Sequence, residues 1–246
     1  MGRSETPEWL LAVWSRALVE AGSPAPAGEI ARMGSKLLER WANPARRFHG
    51  IGHLIMVLEK TDELAQEASC PCLVRLAGFY HGAILDAGSG SRARQAWSED
   101  HALSADLAGA QMRHLELQEA KASRVRDLIV NLGARPAQIR DPDLAVLCDA
   151  ERAILAADPR VYRAYADALR AECGDEPAEA VLQARIAVLR NWLGKDRLFA
   201  TAATAAWEDA ARNNIEAELA RAVRELAAAR PPEPAPRPPE HRQMAE

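Results

Sequence analysis

The sequence predicts an all-α protein, and its composition and patterning both support this fold class. Apolar residues make up 48% of the 246-residue chain and aromatic residues only 5%, with Ala and Leu dominant. Such a composition favours helix over strand. Apolar side chains recur at helical spacing along most of the chain, and no window shows the sustained alternation with β-branched residues that is typical of strands.

Ten helices follow from the apolar spacing and from the breaks between segments. Thr6 and Pro7 suit the N-cap and first position of the first helix, Asn43-Pro44 ends the second, and Ser98 can cap the fifth. The fourth is nearly all apolar and is therefore expected at the centre of the fold. The predicted ranges are 7–21, 29–41, 50–66, 72–85, 98–115, 117–132, 143–156, 160–172, 176–193 and 204–229.

The last 17 residues differ in composition from the rest of the chain. Residues 230–246 include the stretch PPEPAPRPPE and almost nothing apolar. Such a segment cannot bury enough surface to offset its ordering entropy. We therefore expect one helical domain over residues 1–229 and a disordered Pro-rich tail over 230–246.

Charge and hydropathy exclude two classes of partner. The net charge is −4, and no block of Lys and Arg interleaves with aromatic residues, so a nucleic-acid groove is not indicated. No apolar run approaches the roughly 18 residues of a membrane span. The first residues lack the basic and then apolar pattern of a signal peptide. These features predict a cytoplasmic protein.

The four cysteines do not form a recognisable redox or zinc motif. Cys70 and Cys72 are separated by one residue, whereas a CxxC motif has two. We expect all four thiols to be free in a reducing cytosol.

Two histidines on the predicted third helix are the first candidates for chemistry. His49 and His53 are four residues apart, which places both imidazoles on one helical face, within reach of a common ion or anion. Arg46 and Arg47 directly precede them. A pair of surface histidines at this spacing is the structural alternative.

Polar residues also interrupt two of the most apolar helices. His81 lies within LAGFYHGAILD, where a buried imidazole is costly unless it is hydrogen-bonded or ligating, so a satisfied core histidine is the alternative. Asp149 and Glu151 interrupt the run LAVLCDAERAIL, which suggests a polar site between helices. We expect His49, His53, His81 and one of the two acids to converge in a single pocket, as in a metal site on a helical bundle.

Five stretches, in order, resemble the predicted metal-dependent phosphohydrolases of the HD superfamily, in their small bacterial branch. The first, LLERWANPARRFHGIGHLIMVLE, carries a Pro, then Arg, an aromatic residue and His, with a second His four further on. The others are LAGFYHGAILD, WSEDHALSADL, LAVLCDAERAIL, and ARIAVLRNWLGKDRLFAT followed by WEDAARNNIEAEL. The resemblance covers roughly residues 8–222.

The resemblance implies an HD-domain-like helical bundle that binds one or two divalent ions. Such ions bind phosphate oxygens and lower the pKa of a bound water, which attacks phosphorus. The implied cofactor is Mn, Zn, Mg or Fe, and the implied substrate is a small phosphorylated molecule or nucleotide. The metal ligands would be His49, His81 and either Asp149 or Glu151; Arg46, His53 and Glu99 would be catalytic, and Asp86 is a further candidate ligand.

The chain departs from the family pattern at the doublet for which the family is named. The family has His-Asp where this chain has His81-Gly82, and its Asp normally binds the metal. The stretch 131–134 lacks a His that relatives often carry, and the family's Asp-Ala-Asp-Leu reads Asp149-Ala150-Glu151-Arg152. If residue 82 faces the metal pocket, the change Gly82→Asp should raise metal affinity.

These departures leave two functional interpretations. The first is a hydrolase of phosphate esters or nucleotides with one metal or a rearranged site. The second is a catalytically degenerate member that keeps the fold and binds a ligand or partner without hydrolysis. A different chemistry on the same scaffold is the remaining alternative.

Overall fold

The computed structural model describes residues 7–85 and 93–229, and within these residues all regular structure is helical. The α-helices there are α1 Glu8–Glu20, α2 Ala27–Trp41, α3 Ile51–Glu63, α4 Pro71–Tyr80, α5 Ala93–His114, α6 Glu119–Val130, α7 Pro142–Arg152, α8 Pro159–Ala171, α9 Ala178–Leu193 and α10 Glu208–Ala229. Each lies on one of the ten predicted segments, so the all-α prediction is confirmed. The predicted tail, 230–246, lies outside the described residues.

Local sequence explains where several helices begin. Pro71, Pro142 and Pro159 each occupy a first-turn position, where the missing backbone N–H would have had no helical partner. Asp141 caps α7 by accepting hydrogen bonds from the backbone of Asp143 and Leu144. The Asp-Pro pairs in the sequence are therefore helix starts.

Helix α4 is the centre of the fold, as its apolar sequence predicted. It packs against α1, α3, α5, α6 and α7. From Leu73 to Tyr80 every residue except Arg75 is buried. The helix ends at Tyr80 and not at the predicted 85, because the chain turns at residues 81–84.

The buried apolar residues form one large cluster and two smaller ones. The large cluster is built from α1 to α7. The smaller clusters come from the C-terminal helices and the segment before them, and they contain Leu155, Tyr162, Leu189, Leu198, Phe199, Ala211 and Ile215 in one and Leu182, Ile186 and Ala222 in the other. Trp207 packs against both the large cluster and the first smaller one, and so joins them. Among the described helices, none is long and apolar enough to cross a membrane.

Helices α1 and α2 approach closely at a glycine. The indole Nε1 of Trp14 donates a hydrogen bond of 2.9 Å to the backbone oxygen of Ile30, which fixes the ring between the helices. A Cβ atom at Gly34 would lie 2.6 Å from Leu11 Cδ1 and 2.7 Å from Trp14 Nε1. Only a residue without a side chain fits there.

We therefore expect Gly34→Ala to destabilise the protein. The added methyl overpacks the contact between α1 and α2, and overpacking typically costs about 1–3 kcal/mol. The control is Gly28→Ala on the same helix, where a Cβ would meet nothing within 4 Å. Urea unfolding of the two variants measures the difference, and equal midpoints would contradict the close approach of the helices.

Candidate functional site

The sequence-predicted histidines meet where the N-terminus of α3 approaches the C-terminus of α4. His53 lies in the first turn of α3, and His81 directly follows α4. His49 precedes α3, which begins at Ile51, so the prediction that His49 and His53 share one helix is wrong. The rings nevertheless lie together, with centroids 5.3 Å apart for His49 and His53 and 5.1 Å apart for His53 and His81.

The hydrogen bonds of His81 and His53 fix both tautomers. His81 Nδ1 lies 2.6 Å from the backbone oxygen of Gly78, which can only accept, so Nδ1 carries the proton. His81 Nε2 is then an acceptor, and His53 Nε2, 3.0 Å away, donates to it. The remaining nitrogen of His53, Nδ1, is left as an acceptor, and it is buried without a hydrogen-bond partner among the described residues.

Both imidazoles are neutral at physiological pH. Burial lowers the pKa of His81 to about 3, and it also lowers the pKa of His53 well below its usual range. A third buried histidine, His101 on α5, belongs to the same electrostatic group, and burial lowers its pKa to about 4. The nearby charges of His49 and Arg46 act in the same direction on His81. The rings of His53, His81 and His101 are therefore uncharged.

His49 is held by a carboxylate that lies 123 positions later in the sequence. Glu172, which directly follows α8, accepts a 2.6 Å hydrogen bond from His49 Nδ1 and further bonds from the backbone N–H groups of Phe48 and His49. Burial alone would raise the pKa of Glu172, but these bonds hold that pKa below its ordinary value. The carboxylate thus fixes the backbone turn that presents His49.

Arg46 is directed at backbone carbonyl groups. Its guanidinium donates to the oxygens of His49, Gly82 and Ala83 at 2.7–3.2 Å, and it stacks over the ring of Trp41 at 5.3 Å. Burial lowers the pKa of Arg46. The side chain therefore fixes the turn after α4 to the segment before α3, and most of its donors are used in doing so.

The position of the missing doublet Asp faces a tryptophan. A Cβ atom at Gly82 would lie 2.7 Å from Trp41 Cη2. A side chain at residue 82 would first have to displace the indole, which argues against the expectation that Gly82→Asp restores a metal ligand. The earlier assignment of Gly82 to a helix is also corrected, since it lies in the turn after α4.

Asp149 holds a loop, and this corrects its assignment as a metal ligand. Its carboxylate accepts hydrogen bonds from the backbone of Ala200 and Thr201 at 2.8–3.0 Å, and the hydroxyl of Thr204 lies 3.0 Å away. Asp149 is fully buried. Both oxygens are thus occupied by the segment that leads into α10, and the residue joins α7 to the C-terminal helices.

Glu151, the other acid of α7, interacts electrostatically with the histidine site. Burial raises the pKa of its carboxyl group, and the adjacent Arg152 and then His49 act to lower that pKa. The side chain is half-buried and makes no hydrogen bond to any residue in the described ranges. Of the two acids on α7, Glu151 is the one near the histidines.

Glu99 and Asp86 complete the sequence-predicted set. Glu99 is an exposed residue of α5, next to the buried Asp100 and His101. Asp86 lies outside the described residues. The stretch 131–134, which lacks the family's His, accepts hydrogen bonds from Arg152 at the backbone oxygens of Leu132 and Ala134. This segment therefore supports α7.

The donor set does not fit the metal site that the family resemblance implies. In the described part of the chain, no group of three or more His, Cys, Asp or Glu side chains is arranged to hold a metal ion. The Nε2 atoms of His53 and His81 share a hydrogen bond with each other, so neither faces an open metal position. Of the candidate carboxylate ligands, Asp149 serves the loop at 200–204, and residue 82 is a glycine against Trp41.

For three residues of the site, the sequence predicts no role. Glu172 lies 123 positions from His49, and nothing in its local sequence, AECGDE, signals that contact. The ring of Tyr165 packs 4.6 Å from that of Phe48. Its sequence context, a run of alternating Ala and charged residues, is typical of a surface helix. His101 has a local signal, since it lies in the stretch WSEDHALSADL, although the family resemblance implies no role for it.

No protein-family model, no curated protein and no solved structure matches the chain.

The two acids of α7 should differ in their effect on stability. Asp149→Asn replaces a carboxylate oxygen by an amide N–H that faces backbone donors, and the loss of charge-assisted hydrogen bonds costs about 2 kcal/mol or more. The matched change Glu151→Gln alters a half-buried side chain with no hydrogen-bond partner among the described residues, so no loss is expected. Chemical denaturation of both variants measures this, and a larger loss for Glu151→Gln would refute the assignment.

The neutral histidines predict destabilisation by acid. Their pKa values are depressed in the folded protein, so below about pH 6.5 the unfolded chain binds more protons, and the free energy of unfolding falls as the pH drops toward 4. Each such group contributes up to about 1.4 kcal/mol per pH unit. His101→Gln should therefore reduce the slope between pH 6.5 and 4. An unchanged slope in His101→Gln would argue against burial of an uncharged ring.

Proposed function

We propose that this chain is an HD-like helical protein that binds a small, polar organic molecule at the histidine cluster and does not hydrolyse it. The observation that carries the proposal is that His53 Nδ1 is a buried acceptor without a hydrogen-bond partner among the described residues, while the expected metal ligand Asp149 is occupied by a loop. A second acceptor, the half-buried carboxyl group of Glu151, lies on α7 near His49.

The chemistry of the unsatisfied groups defines the class of ligand. An unpaired buried acceptor costs about 1–3 kcal/mol, and a donor from a ligand or an ordered water removes that cost. The ligand should therefore carry several N–H or O–H groups. The bases and ribose of nucleosides have such groups, so a nucleotide remains within the proposed class.

The phosphate part of a nucleotide has less support at this site. The guanidinium of Arg46 is bonded to three backbone oxygens, and His53 and His81 are neutral. The carboxylate of Glu172 is bonded to His49 and adds negative charge beside it. We therefore propose that recognition depends on hydrogen-bond donors of the ligand more than on its negative charge.

One observation favours metal-dependent hydrolysis as the second candidate. His49 and His81 each donate from Nδ1 to an acceptor, a carboxylate for His49 and a backbone carbonyl for His81. Metal-binding histidines usually have such an outer partner, which directs Nε2 toward the ion. If the His53–His81 bond opens, these two Nε2 atoms are the first candidates to ligate, and a carboxylate would still have to be supplied.

The test of the proposal is ligand-induced stabilisation of the full chain in the presence of a chelator. The probes are adenosine, guanosine, cytidine and uridine, with inorganic phosphate as the comparison. We expect at least one nucleoside to raise the melting temperature and phosphate alone not to do so. At a ligand concentration 100 times the dissociation constant the stabilisation is about 2.7 kcal/mol, which corresponds to several degrees.

Variants distinguish this site from binding elsewhere on the surface. Glu151→Gln should abolish the shift, while Glu216→Gln, which changes an exposed acid on α10, should retain it. The competing function is tested with Mn²⁺ or Zn²⁺ and bis(4-nitrophenyl) phosphate. Hydrolysis that requires the metal and disappears in His49→Ala would overturn the proposal in favour of the hydrolase.

A further inference from the structure

Two cysteine side chains lie together at the start of α4, away from the histidine cluster. The sulfur atoms of Cys70 and Cys72 are 3.7 Å apart, and both residues are partly exposed. The other two thiols are separate from this pair: Cys148 is buried, and the sulfur of Cys173, just after α8, contacts the backbone oxygen of Leu169 in that helix.

The helix start explains why the two thiols are close. Cys70 is the N-cap residue of α4, with φ −139° and ψ 75°, and Pro71 occupies the first turn. A residue at the N-cap directs its side chain back over the first turn, toward the second and third helical residues. Cys72 is the second helical residue, so the sulfur of Cys70 lies beside its sulfur, although the two side chains would point apart in a continuous helix.

We propose that Cys70 and Cys72 form a dithiol that is oxidised reversibly to an intramolecular disulfide by a small-molecule disulfide such as oxidised glutathione. An S–S bond requires about 2.05 Å, so the sulfurs have to approach by rotation of the side chains. Neither thiol is engaged in another disulfide.

The exchange balances with the oxidant as its only co-reactant. The thiolate of Cys70 attacks one sulfur of oxidised glutathione, which forms a mixed disulfide and releases one glutathione thiolate. The thiol of Cys72 then loses its proton and attacks the Cys70 sulfur, which releases the second glutathione. The protein loses two protons and two electrons, and the oxidant takes them up to become two molecules of reduced glutathione.

The environment of the two thiols sets the order of these steps. Burial and the adjacent Cys70 raise the pKa of Cys72 to about 11, so this thiol is mostly protonated at neutral pH and is a poor first nucleophile. Cys70 is the N-cap residue of α4, outside the helix itself, and its side chain is partly exposed, so an oxidant in solution can reach its sulfur. Cys70 is therefore the attacking thiol, and Cys72 resolves the mixed disulfide.

The constraints around Cys70 make the disulfide easy to reduce. The backbone N–H of Cys70 donates a 2.8 Å hydrogen bond to Asp143, which is buried and also paired with Arg124. A disulfide between residues separated by one position closes a small ring, and the fixed backbone prevents this ring from relaxing, so the bond is strained. Strained disulfides have more oxidising potentials. Reversible oxidation is thus expected, in contrast to a permanent structural bond.

The experiment uses the full native chain, incubated with an excess of oxidised glutathione, blocked with an alkylating reagent and digested with trypsin. Cys70 and Cys72 fall in one tryptic peptide, residues 61–75, and Cys148 and Cys173 fall in two others. We expect most of the 61–75 peptide to have lost two hydrogens, and reduced glutathione to reverse the change. The Cys148 peptide, whose thiol is buried, reports any unfolding by becoming modified.

Single variants test the order of reaction. Cys72→Ser should accumulate a glutathione adduct on Cys70, because the resolving thiol is gone, and Cys70→Ser should form much less adduct. The control Cys173→Ser should behave as the parent does. The proposal is overturned if the parent accumulates only glutathione adducts, if Cys70 pairs with Cys173, or if the 61–75 peptide stays fully reduced while free thiols in solution are oxidised.

Discussion

The indole of Trp41 is the contact around which the site is arranged. Its Nε1 donates a 2.9 Å hydrogen bond to the backbone oxygen of Phe79, so the end of α2 is fixed to the end of α4. The ring lies 5.2 Å from His81 and 6.2 Å from His53, and its face carries the guanidinium of Arg46. Because the indole fills the space in front of residue 82, glycine is the residue that the packing accepts there.

A second set of contacts joins the two halves of the molecule. Asp149 binds the loop before α10, and Trp207 packs against the cores on both sides. A buried network continues this connection: Tyr162 and Arg185 both bond to Glu218, and Arg185 lies over the ring of Tyr165, which contacts Phe48. The C-terminal helices therefore support the segment that carries His49 through both charged and aromatic contacts.

The sequence predicted the helices well and the site only in part, for a physical reason. Helices depend on local spacing and on breaks such as Asp141-Pro142, which the sequence displays directly. His81 drew attention because it interrupts an apolar run, and the structure places it beside His53. The contact partner of an acidic residue cannot be predicted from its neighbours in sequence. Asp149 and Glu151 have the same apolar neighbours, yet Asp149 binds a loop and Glu151 lies near His49. The contact of Glu172 with His49 spans 123 positions and has no local pattern at all.

That long-range contact also bears on the order in which the molecule assembles. The turn at Phe48 and His49 is closed by a carboxylate that is synthesised long after it, and the entropy of closing so long a loop has to be overcome before the contact forms. The helices α1 to α4 are close in sequence and can pack against one another early, whereas the turn at Phe48 and His49 is closed only after α8 has docked. A nascent chain that has not yet reached residue 172 would therefore have a helical core without the closed turn that presents His49.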